Sequence, residues 1–356
     1  MDDVDRFSRT LLKWYDIHHR DLPWRVSPSM RARGVRPDPY HIWLSEVMLQ
    51  QTTVQAVKPY FAKFLDLWPQ VADLAAADTE EVMKAWAGLG YYARARNLKK
   101  CAEAVARDHG ARFPNTEEGL RLLPGIGDYT AAAVAAIAFD RQAAVLDGNV
   151  ERVVSRLYAV ETPLPAAKPK LRALTGAITP AERPGDFAQA MMDLGSMICA
   201  PKRPVCSLCP LNDGCIAFQT GDPERFPVKA AKKAKPVRTG AAFVAINEQG
   251  AVYLQKRADT GLLGGMTEVP GTGWTARLDG EPSLTARPFA ADWQDCGAIT
   301  HVFTHFELRL SVYRADIGKT DFRGNGWWEP ALSLRHQALP TVMKKAIAQA
   351  VPGVFS

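Results

Sequence analysis

The chain has 356 residues, which is too long for one ordinary hydrophobic core and fits two or three domains. Its hydrophobic fraction of 47% and charged fraction of 23% are typical of a globular protein, and no apolar run is long enough to span a bilayer. A net charge of +6 favours polyanionic partners only mildly. The stretch MDDVDRFSRTLLKWY is acidic and amphipathic, unlike a signal or transit peptide, and predicts a cytoplasmic protein.

Residues 1 to about 225 carry the pattern of a helical domain. Apolar residues recur three or four positions apart, and Gly or Pro separates the segments. Examples are VDRFSRTLLKWYDIHH, TEEVMKAWAGL, NLKKCAEAVARDHG and YTAAAVAAIAF. Residues 26–39 are polar, basic and rich in proline, which predicts a surface loop. Its arginines either contact phosphate or belong to a disordered insert, and the disordered insert is the favoured interpretation.

Glu46 has unusual neighbours in HIWLSEVMLQQT, residues 41–52. On a helix, the residues three and four positions away include Ile42, Trp43 and Leu49, all of them apolar. A glutamate on the solvent side of an amphipathic helix would have polar neighbours at these positions. A carboxylate in apolar surroundings is costly to ionise, so the pattern indicates a role other than solubility.

The stretch LPGIGDYTAAAVAAIAF predicts a helix–hairpin–helix. Pro124 ends one helix, Gly125 and Gly127 permit positive φ and a bare backbone, and a new helix begins with free N–H groups. Such a hairpin can hold a phosphate without reading base sequence, although a Gly-x-Gly turn alone is more often a plain connection. Asp147 follows twenty residues after Gly127, and its Asp-Gly pair alone indicates a turn or an N-cap.

Four of the six cysteines fall within 17 residues, in CAPKRPVCSLCPLNDGC. In a reducing cytosol this clustering predicts a metal site rather than disulfides. Four thiolates suit one zinc ion or one cubane iron–sulfur cluster, and the single Cys-x-x-Cys favours iron–sulfur while leaving zinc open. The clustered residues are Cys199, Cys206, Cys209 and Cys215, whereas Cys101 and Cys296 are predicted core residues.

The pattern changes after residue 225. VKAAKKAKPVR, residues 228–238, carries five basic residues and no acidic one, which predicts an exposed linker. GAAFVAI and AVYLQKR flank NEQG as a β-hairpin, and THFELRLSVY alternates apolar and polar residues as a half-buried strand does. LPTVMKKAIAQAV predicts a final helix. The pattern therefore indicates a helical domain, a linker and a smaller α+β domain.

Several segments resemble one family. The helix–hairpin–helix, the aspartate about twenty residues further on and the Cys-x6-Cys-x2-Cys-x5-Cys loop resemble the DNA glycosylase superfamily that includes endonuclease III. Other segments closely resemble its adenine DNA glycosylases, of the MutY type: LPWR, WLSEVMLQQT, GLGYYARARNL, LPGIGDYTA, LDGNVERV and AMMDLGSMICAPKRPVCSLCPL. The resemblance is strong over about the first 220 residues and loose over the last 115.

The resemblance implies an enzyme that cleaves the bond between deoxyribose C1′ and N9 of adenine. Glu46 would be the general acid that protonates N7 of the leaving base, with a pKa raised by Trp43 and the nearby leucines. Asp147 would stabilise the cationic sugar, as the second carboxylate does in glycoside hydrolysis. In the family, the residues at the positions of Tyr129 and Asn149 assist at this site.

The residue at position 129 also bears on the class of mechanism. Related bifunctional enzymes have a lysine there, which attacks C1′ as an amine and leads to strand cleavage. This chain has tyrosine at position 129 and no lysine between Lys100 and Lys168. We therefore expect a monofunctional glycosylase without Schiff-base chemistry.

The resemblance also implies contacts with DNA. Gln51 would fill the gap left by the extruded base, Tyr91 would wedge beside the opposite base, and Gly125 and Gly127 would meet the backbone. The residues at adenine-pocket positions are Arg20, Trp24, Arg25 and Gln189. Without the family, Tyr91 would be a core aromatic, and a core position explains Trp24 as well as the pocket does.

TGLLGGMTEVPG resembles the Nudix fold. A Nudix hydrolase binds magnesium through a glutamate-rich helix, but the segment that follows here, TGWTARLDGEPSLTARPF, has only Glu281. We expect a fold retained for recognising 8-oxoguanine, with hydrolysis lost. The family's recognition loop reads Phe-Ser-His, and this chain has Phe303, Thr304 and His305, where the threonine adds a methyl group.

The expected fold class is mainly α: an all-helical glycosylase domain with an iron–sulfur cluster loop, and a smaller α+β Nudix-like domain. The expected glycosylase domain is 1–225, the basic linker 226–238 and the lesion-recognition domain 239–356. Within the first domain we expect a six-helix barrel at about 38–140, the helix–hairpin–helix at about 116–139, and an iron–sulfur subdomain from about 1–30 and 141–225.

The expected partner is double-stranded DNA with an A:8-oxoguanine or A:G mispair, and the expected cofactor is one 4Fe-4S cluster. We expect a monomer that is associated with the nucleoid through DNA and not with a membrane. One alternative is an iron–sulfur protein that binds lesions without cutting, which would not require Glu46 and Asp147. An endonuclease III-like lyase is disfavoured by the absent lysine, and a Nudix-type nucleotide hydrolase by the missing glutamates.

Overall fold

The computed structural model describes residues 2–230, 234–258, 260–318 and 325–355. The chain divides into two units. The first comprises Met1–Ala77 and Asn97–Lys232, and the second comprises Asp78–Arg96 and Lys233–Ser356. The predicted fold class, mainly helical with a smaller α+β part, is confirmed, whereas the domain limits drawn from the sequence stay predictions.

Helix α9 connects much of the first unit. Its alanine-rich sequence DYTAAAVAAIAF is buried from Thr130 to Ile137. The helices of the described residues are α1 (Asp2–His18), α2 (Pro28–Ala32), α3 (Pro39–Leu49), α4 (Val54–Leu67), α5 (Val71–Ala76), α6 (Thr79–Trp86), α7 (Ala93–His109), α8 (Glu117–Arg121), α9 (Asp128–Phe139), α10 (Gly148–Leu157), α11 (Lys168–Ile178), α12 (Pro184–Met197), α13 (Ile216–Gln219) and α14 (Thr341–Ala350). Helix α9 packs against α3, α8 and α12, and α12 packs against α10 and α1.

Local sequence signals set the ends of the helices that carry the predicted site. The Asp38 side chain accepts the Tyr40 N–H, and Pro39 occupies the first turn of α3. The Asp147 side chain caps α10 by accepting the Val150 N–H at 2.7 Å. These caps place Glu46 within α3 and Asp147 at the start of α10.

Small residues allow α12 to approach its neighbours closely. A Cβ atom at Gly195 would lie 2.6 Å from the Cβ of Asn149, and one at Gly185 would lie 2.5 Å from the carbonyl oxygen of Ala136. Both distances are shorter than side chains tolerate. Glycine at these positions therefore lets α12 lie directly against α10 and α9.

Residues 26–39 are not the disordered insert favoured from the sequence, because they contain helix α2. The side chain of Arg31 in this helix is only 7% exposed and forms ion pairs with Asp140 at 2.5 Å and with Asp186 at 3.4 Å. The loop prediction rested on the polar and proline-rich composition of the segment. The composition did not reveal the two carboxylates, which lie more than a hundred residues away in sequence.

The second unit contains a mixed β-sheet. Its described strands are β1 (Val237–Asn247), β2 (Val252–Lys256), β3 (Thr267–Glu268), β4 (Gln294–Val302), β5 (Glu307–Ile317) and β6 (Trp327–Glu329). Their order is β3-β2-β1-β5-β4, with β6 also paired to β2. Strand β1 runs parallel to β5 and antiparallel to β2. One face packs against α14 through Val244 and Leu308, and the other buries Phe243 and Tyr313.

The predicted elements of this unit are confirmed. The hairpin is the β1–β2 pair, which begins at Ile246 and Val252. The alternating strand is β5, in which Leu308, Leu310 and Val312 are buried. The final predicted helix is α14. Within residues 2–230, 234–258, 260–318 and 325–355, no helix is both long and apolar enough to cross a membrane.

Candidate active site

Glu46 lies in a helix that is almost entirely covered by other parts of the chain. In α3, Tyr40 and every residue from Ile42 to Met48 are buried. Only 5% of Glu46 is exposed. The apolar neighbours noted in the sequence therefore correspond to real burial, and the Glu46 carboxyl group lies in a low-dielectric environment.

Tyr129 contacts Glu46 from α9. Its O–H group donates a short hydrogen bond to Oε2 of Glu46. The two helices are also linked by the Gln50 amide, which donates to the hydroxyl oxygen of Thr130 at 3.1 Å. Because Tyr129 is the second residue of α9, the turn after the predicted hairpin sets where its side chain reaches.

Asp147 and Asn149 form the other side of the site. Oδ1 of Asp147 accepts the Val150 N–H at 2.7 Å, and Oδ2 accepts the Asn149 amide at 2.9 Å. Arg152 in turn donates to Oδ1 of Asn149 at 2.9 Å. The N-cap interpretation of the Asp-Gly pair is thus correct. The negative charge of the same carboxylate also acts on Glu46 and on the Tyr129 hydroxyl.

Burial raises the pKa of Glu46 to about 7. The Tyr129 hydrogen bond and the Arg25 cation oppose this rise, whereas the negative charge of Asp147 adds to it. Burial also raises the pKa of Asp147, against the hydrogen bonds from Val150 and Asn149. Two neighbouring carboxyl groups with different surroundings are the arrangement that divides acid and base roles in enzymes.

Arg20 and Arg25 converge on Asp193 of α12, a residue to which the sequence analysis gave no role. Arg25 Nη1 donates to both Asp193 carboxylate oxygens, at 2.9 and 2.8 Å. Arg20 donates through Nε at 2.6 Å and through its backbone N–H at 2.9 Å. Asp193 is completely buried. The feature of the sequence that could have revealed Asp193 is its position between Met192 and Leu194 in an apolar helix.

The other two predicted pocket residues differ in their surroundings. Trp24 is buried and packs edge-on against Phe61 with ring centroids 5.3 Å apart, as the core interpretation expects. Gln189 is also buried, and its amide nitrogen donates to the Gly185 carbonyl at 3.3 Å. Its Oε1 atom has no hydrogen-bond partner among the described residues. Gln189 thus has one buried acceptor atom that no described group satisfies.

Gln51 follows α3 and is exposed, with a φ of 59°. This left-handed conformation is uncommon for residues other than glycine. In the predicted hairpin, Gly125 has a φ of 74°, whereas Gly127 has a φ of −93°. Positive φ was therefore needed only at Gly125. A Cβ atom at Gly127 would meet nothing within 4 Å, so its backbone is bare, as predicted.

Tyr91 belongs to the second unit and is 52% exposed, so it is not a core aromatic. Its φ is 47°, again in the left-handed region. The Arg94 guanidinium lies 5.4 Å from the Tyr91 ring centroid and 5.3 Å from that of Trp86. This cation supports the tyrosine ring from one side.

The predicted recognition loop also lies in the second unit. Thr304 and His305 are exposed, whereas Phe303 is half-buried and stacks on Phe306 with centroids 4.6 Å apart. Lys235 donates to the carbonyl oxygen of Phe303 at 2.8 Å. Phe303 therefore anchors the loop and leaves the next two side chains free to meet a ligand. Residues 269–293, where a Nudix hydrolase would have its glutamate helix, contain only a 3-10 turn at Leu284–Ala286.

The four clustered cysteines lie between α12 and α13. Burial raises the pKa of Cys206, Cys209 and Cys215, and the nearby Cys199 thiol raises each of them further. The buried Arg156 guanidinium donates to Sγ of Cys199 at 3.2 Å. The four sulfur atoms are therefore close enough to interact, and a cation lies beside them.

Four thiolates can bind either one zinc ion or one cubane cluster. Among the described residues, no three of His, Cys, Asp and Glu converge closely enough to hold one metal ion. A zinc ion requires its four thiolate sulfurs about 2.3 Å from one centre. A cubane cluster keeps its four thiolates further apart, because each binds a different iron. Of the isolated cysteines, Cys101 is in the core, as predicted, whereas Cys296 is only partly buried.

Comparison with known families matches both units. Residues 44–175 match the family described as HhH-GPD superfamily base excision DNA repair protein, and residues 241–349 match the NUDIX domain. The adenine DNA glycosylase of Mus musculus is 34% identical over 403 residues, covering 96% of this chain and 77% of the mouse protein. That of Homo sapiens is 35% identical over 367 residues, covering 87% and 67%. That of Buchnera aphidicola subsp. Schizaphis graminum is 36% identical over 256 residues, covering 71% of each chain.

Solved structures agree with the helical fold. A thermostable thymine-DNA glycosylase superposes with a TM-score of 0.54 at 31% identity, covering 62% of this chain and 98% of that chain. An endonuclease III–DNA covalent intermediate gives a TM-score of 0.51 at 23% identity, covering 62% of this chain and 97% of that chain. At that identity the second likeness concerns the fold alone.

The helix–hairpin–helix fold and the paired carboxyl groups therefore define a base excision DNA repair protein. Identity to the relatives extends over most of this chain and at least two thirds of theirs. The chain belongs to the adenine DNA glycosylase family. It is a hydrolase of N-glycosyl bonds, as the sequence motifs predicted.

Glu46→Gln should stabilise the fold at neutral and alkaline pH. The carboxyl group has an ordinary pKa of 4.5 and a folded pKa of about 7, so wild-type stability falls as the pH rises between these values. This difference corresponds to a loss of roughly 3 kcal/mol, complete above about pH 7. Urea titrations measure the free energy of unfolding. The value for the variant minus that for the wild type should be larger at about pH 8 than at about pH 5, by about that amount.

Glu118→Gln is the matched control, because Glu118 is exposed. It should show no comparable gain at either pH. A Glu46→Gln variant whose stability difference from the wild type is the same at both pH values would contradict the raised pKa.

Proposed function

We propose that the chain is a monofunctional DNA glycosylase that removes adenine paired with 8-oxoguanine, or with guanine, from double-stranded DNA. The observation that carries this proposal is the buried Glu46 carboxyl group, which has a pKa of about 7, accepts a hydrogen bond from Tyr129 and is influenced by the charge of Asp147. The name shared by the relatives, adenine DNA glycosylase, supports adenine as the base released.

Glu46 supplies the proton that adenine needs to leave. When the C1′–N9 bond breaks, its electron pair goes to the base, and N7 takes the Glu46 proton so that neutral adenine departs. A carboxyl group with the ordinary pKa would be ionised in nearly all molecules at neutral pH. With a pKa of about 7, a large fraction of Glu46 is protonated there.

Asp147 stabilises the sugar cation that remains. The hydrogen bonds from Val150 and Asn149 favour its ionised form, so that its negative charge is available beside C1′. Water then adds to C1′, and the proton that it releases restores Glu46. The products are adenine and an abasic site.

Tyr129 fits a monofunctional reaction. Its O–H group is engaged with Glu46, and a phenol at this position provides no amine to attack C1′. A buried lysine of α7, Lys99, donates instead to the Ala75 carbonyl and to Glu103. The proposed site therefore releases the base and leaves the DNA strand intact.

The remaining proposed contacts follow from exposure and free acceptors. The unpartnered Oε1 of Gln189 suits a donor such as the adenine amino group, in a pocket that also includes Arg20, Trp24 and Arg25. Gln51 and Tyr91 are exposed in left-handed conformations at the ends of loops, where they are suited to enter a DNA stack. The hairpin of Gly125 and Gly127, whose backbone is bare at Gly127, would contact the phosphate backbone.

The four clustered cysteines would hold one 4Fe-4S cluster. When bound, the cluster would cross-link the loop between α12 and α13, close to Arg156 and hence to α10. The chain's own residues, rather than the cluster, carry the proton transfer proposed above.

The proposed reaction is tested with a duplex that contains a single A:8-oxoguanine pair. The wild type should produce abasic sites and give strand breaks only after alkali. Glu46→Gln should bind this duplex normally and release adenine about 10²–10⁴-fold more slowly, the range typical for loss of a general acid. Turnover by Glu46→Gln at a rate near that of the wild type would refute the assignment.

His305→Ala should reduce the preference for 8-oxoguanine over guanine, because the exposed imidazole is the strongest hydrogen-bonding group in the recognition loop. Loss of one such hydrogen bond corresponds to about a tenfold change in the ratio of the two excision rates. His336→Ala, at another exposed histidine, is the control. An unchanged ratio in His305→Ala would place lesion recognition elsewhere.

Protein purified without oxygen should be brown and contain about four irons per chain. Cys209→Ser should lose the colour and most of the iron, whereas Cys296→Ser, outside the cysteine cluster, should retain both. A colourless protein with one zinc per chain would contradict the cluster.

A further inference from the structure

Asp193 joins helix α12 to the segment between α1 and α2. It projects from α12, and its carboxylate accepts four hydrogen bonds, two from Arg25 and two from Arg20. The Asp193 side chain is 0% exposed and the Arg25 side chain 7% exposed. The Arg20 side chain is 25% exposed. The Arg25–Asp193 pair is thus a buried ion pair, in which each charge depends on the other.

Arg25 is also a charged neighbour of the proposed proton donor. Its cation acts on Glu46 and favours the ionised form of that carboxyl group. In surroundings that exclude water, an uncompensated cation has a larger effect than it would have at the surface. If Arg25 were not neutralised, Glu46 would lose its proton at a lower pH.

We propose that Asp193 is a positioning residue that holds and neutralises Arg25, and thereby allows Glu46 to keep its proton. This inference rests on the proposed role of Glu46 as proton donor. Asp193 touches neither Glu46 nor the reacting atoms, and it acts through Arg25. It also fixes Arg25 in place, since both of its carboxylate oxygens accept from the same guanidinium nitrogen.

Two tyrosines and a second carboxyl group act on this network. Tyr129 of α9 and Asp147 at the start of α10 act on Glu46, and Tyr15 of α1 acts on Arg25. Burial raises the pKa of both tyrosines, so they stay neutral. Protonation of Asp147 would lower activity on the acidic side, and ionisation of Glu46 would lower it on the alkaline side.

Further out, two charged groups act on Tyr15. These are Asp186 of α12 and Arg31 of α2, which form an ion pair with each other. Asp186 also accepts a hydrogen bond from Arg183 at 2.8 Å. Neither Asp186 nor its arginine partners are among the groups that act on Glu46. Asp186 is therefore a matched control for Asp193 on the same helix.

The test measures single-turnover adenine excision as a function of pH for the wild type, Asp193→Asn and Asp186→Asn. The alkaline limb is the part of the profile in which the excision rate falls as the pH rises. In Asp193→Asn this limb should move to lower pH by about one unit. At pH values above the limb the rate should be about tenfold lower than that of the wild type, and below it the two rates should be similar. Asp186→Asn should leave the limb in place. A rate that falls by the same factor at every pH in Asp193→Asn would overturn the proposal, because it would indicate a purely structural role.

A second variant separates charge from structure. Asp193→Asn combined with Arg25→Gln removes the cation as well, and its alkaline limb should return to the wild-type pH, whatever the absolute rate. If Asp193→Asn does not fold, Arg25→Gln alone carries the test. Its limb should move to higher pH, and an unmoved limb would overturn the proposal.

Glu46→Gln distinguishes failure of this inference from failure of the proposed function. If Glu46→Gln retains the wild-type alkaline limb, Glu46 is not the proton donor and the proposed function fails. If Glu46→Gln is inactive and the limb of Asp193→Asn is unmoved, only the role of Asp193 is overturned.

Discussion

The removal of one carboxyl group from water is the constraint on which the rest of the site depends. Glu46 lies in a helix without a solvent-facing side, between apolar residues that belong to α3 itself. Burial alone would make the group a poor acid and a cost to the fold. The hydrogen bond from Tyr129 limits that cost and fixes the orientation of the carboxyl group. Its pKa of about 7 results from burial and the Asp147 charge, which raise it, and from Tyr129 and Arg25, which lower it.

Helix packing supplies each partner of this carboxyl group from a different part of the chain. Helix α9 carries Tyr129, the start of α10 carries Asp147, and α12 carries the aspartate that holds Arg25. Close approach of α12 to its neighbours depends on glycines, where a side chain would collide with Asn149 or with the backbone of α9. The electrostatics of the site are therefore a consequence of how closely α12 packs in the first unit.

The sequence predicted features whose causes lie close together in the chain. It did not reveal contacts between residues that are far apart in the sequence. The apolar surroundings of Glu46 and the cap at Asp147 were readable, because their causes lie within four residues. Asp193 was given no role, since Arg20 and Arg25 are 173 and 168 residues away. The ordered α2 was missed for the same reason: Arg31 finds its carboxylates 109 and 155 residues further along. At Gly127 the sequence suggested positive φ, but the helix begins there in an extended conformation that any residue adopts.

The most direct test of the account is the ionisation of Glu46 itself. In protein labelled with ¹³C at the glutamate side-chain carboxyl carbon, the Glu46 resonance is identified by its absence from the spectrum of Glu46→Gln. Its chemical shift, followed as the pH changes, should titrate with a midpoint of about 7. A midpoint at the ordinary value of 4.5 would contradict the account, because Glu46 would then be ionised in nearly all molecules at neutral pH.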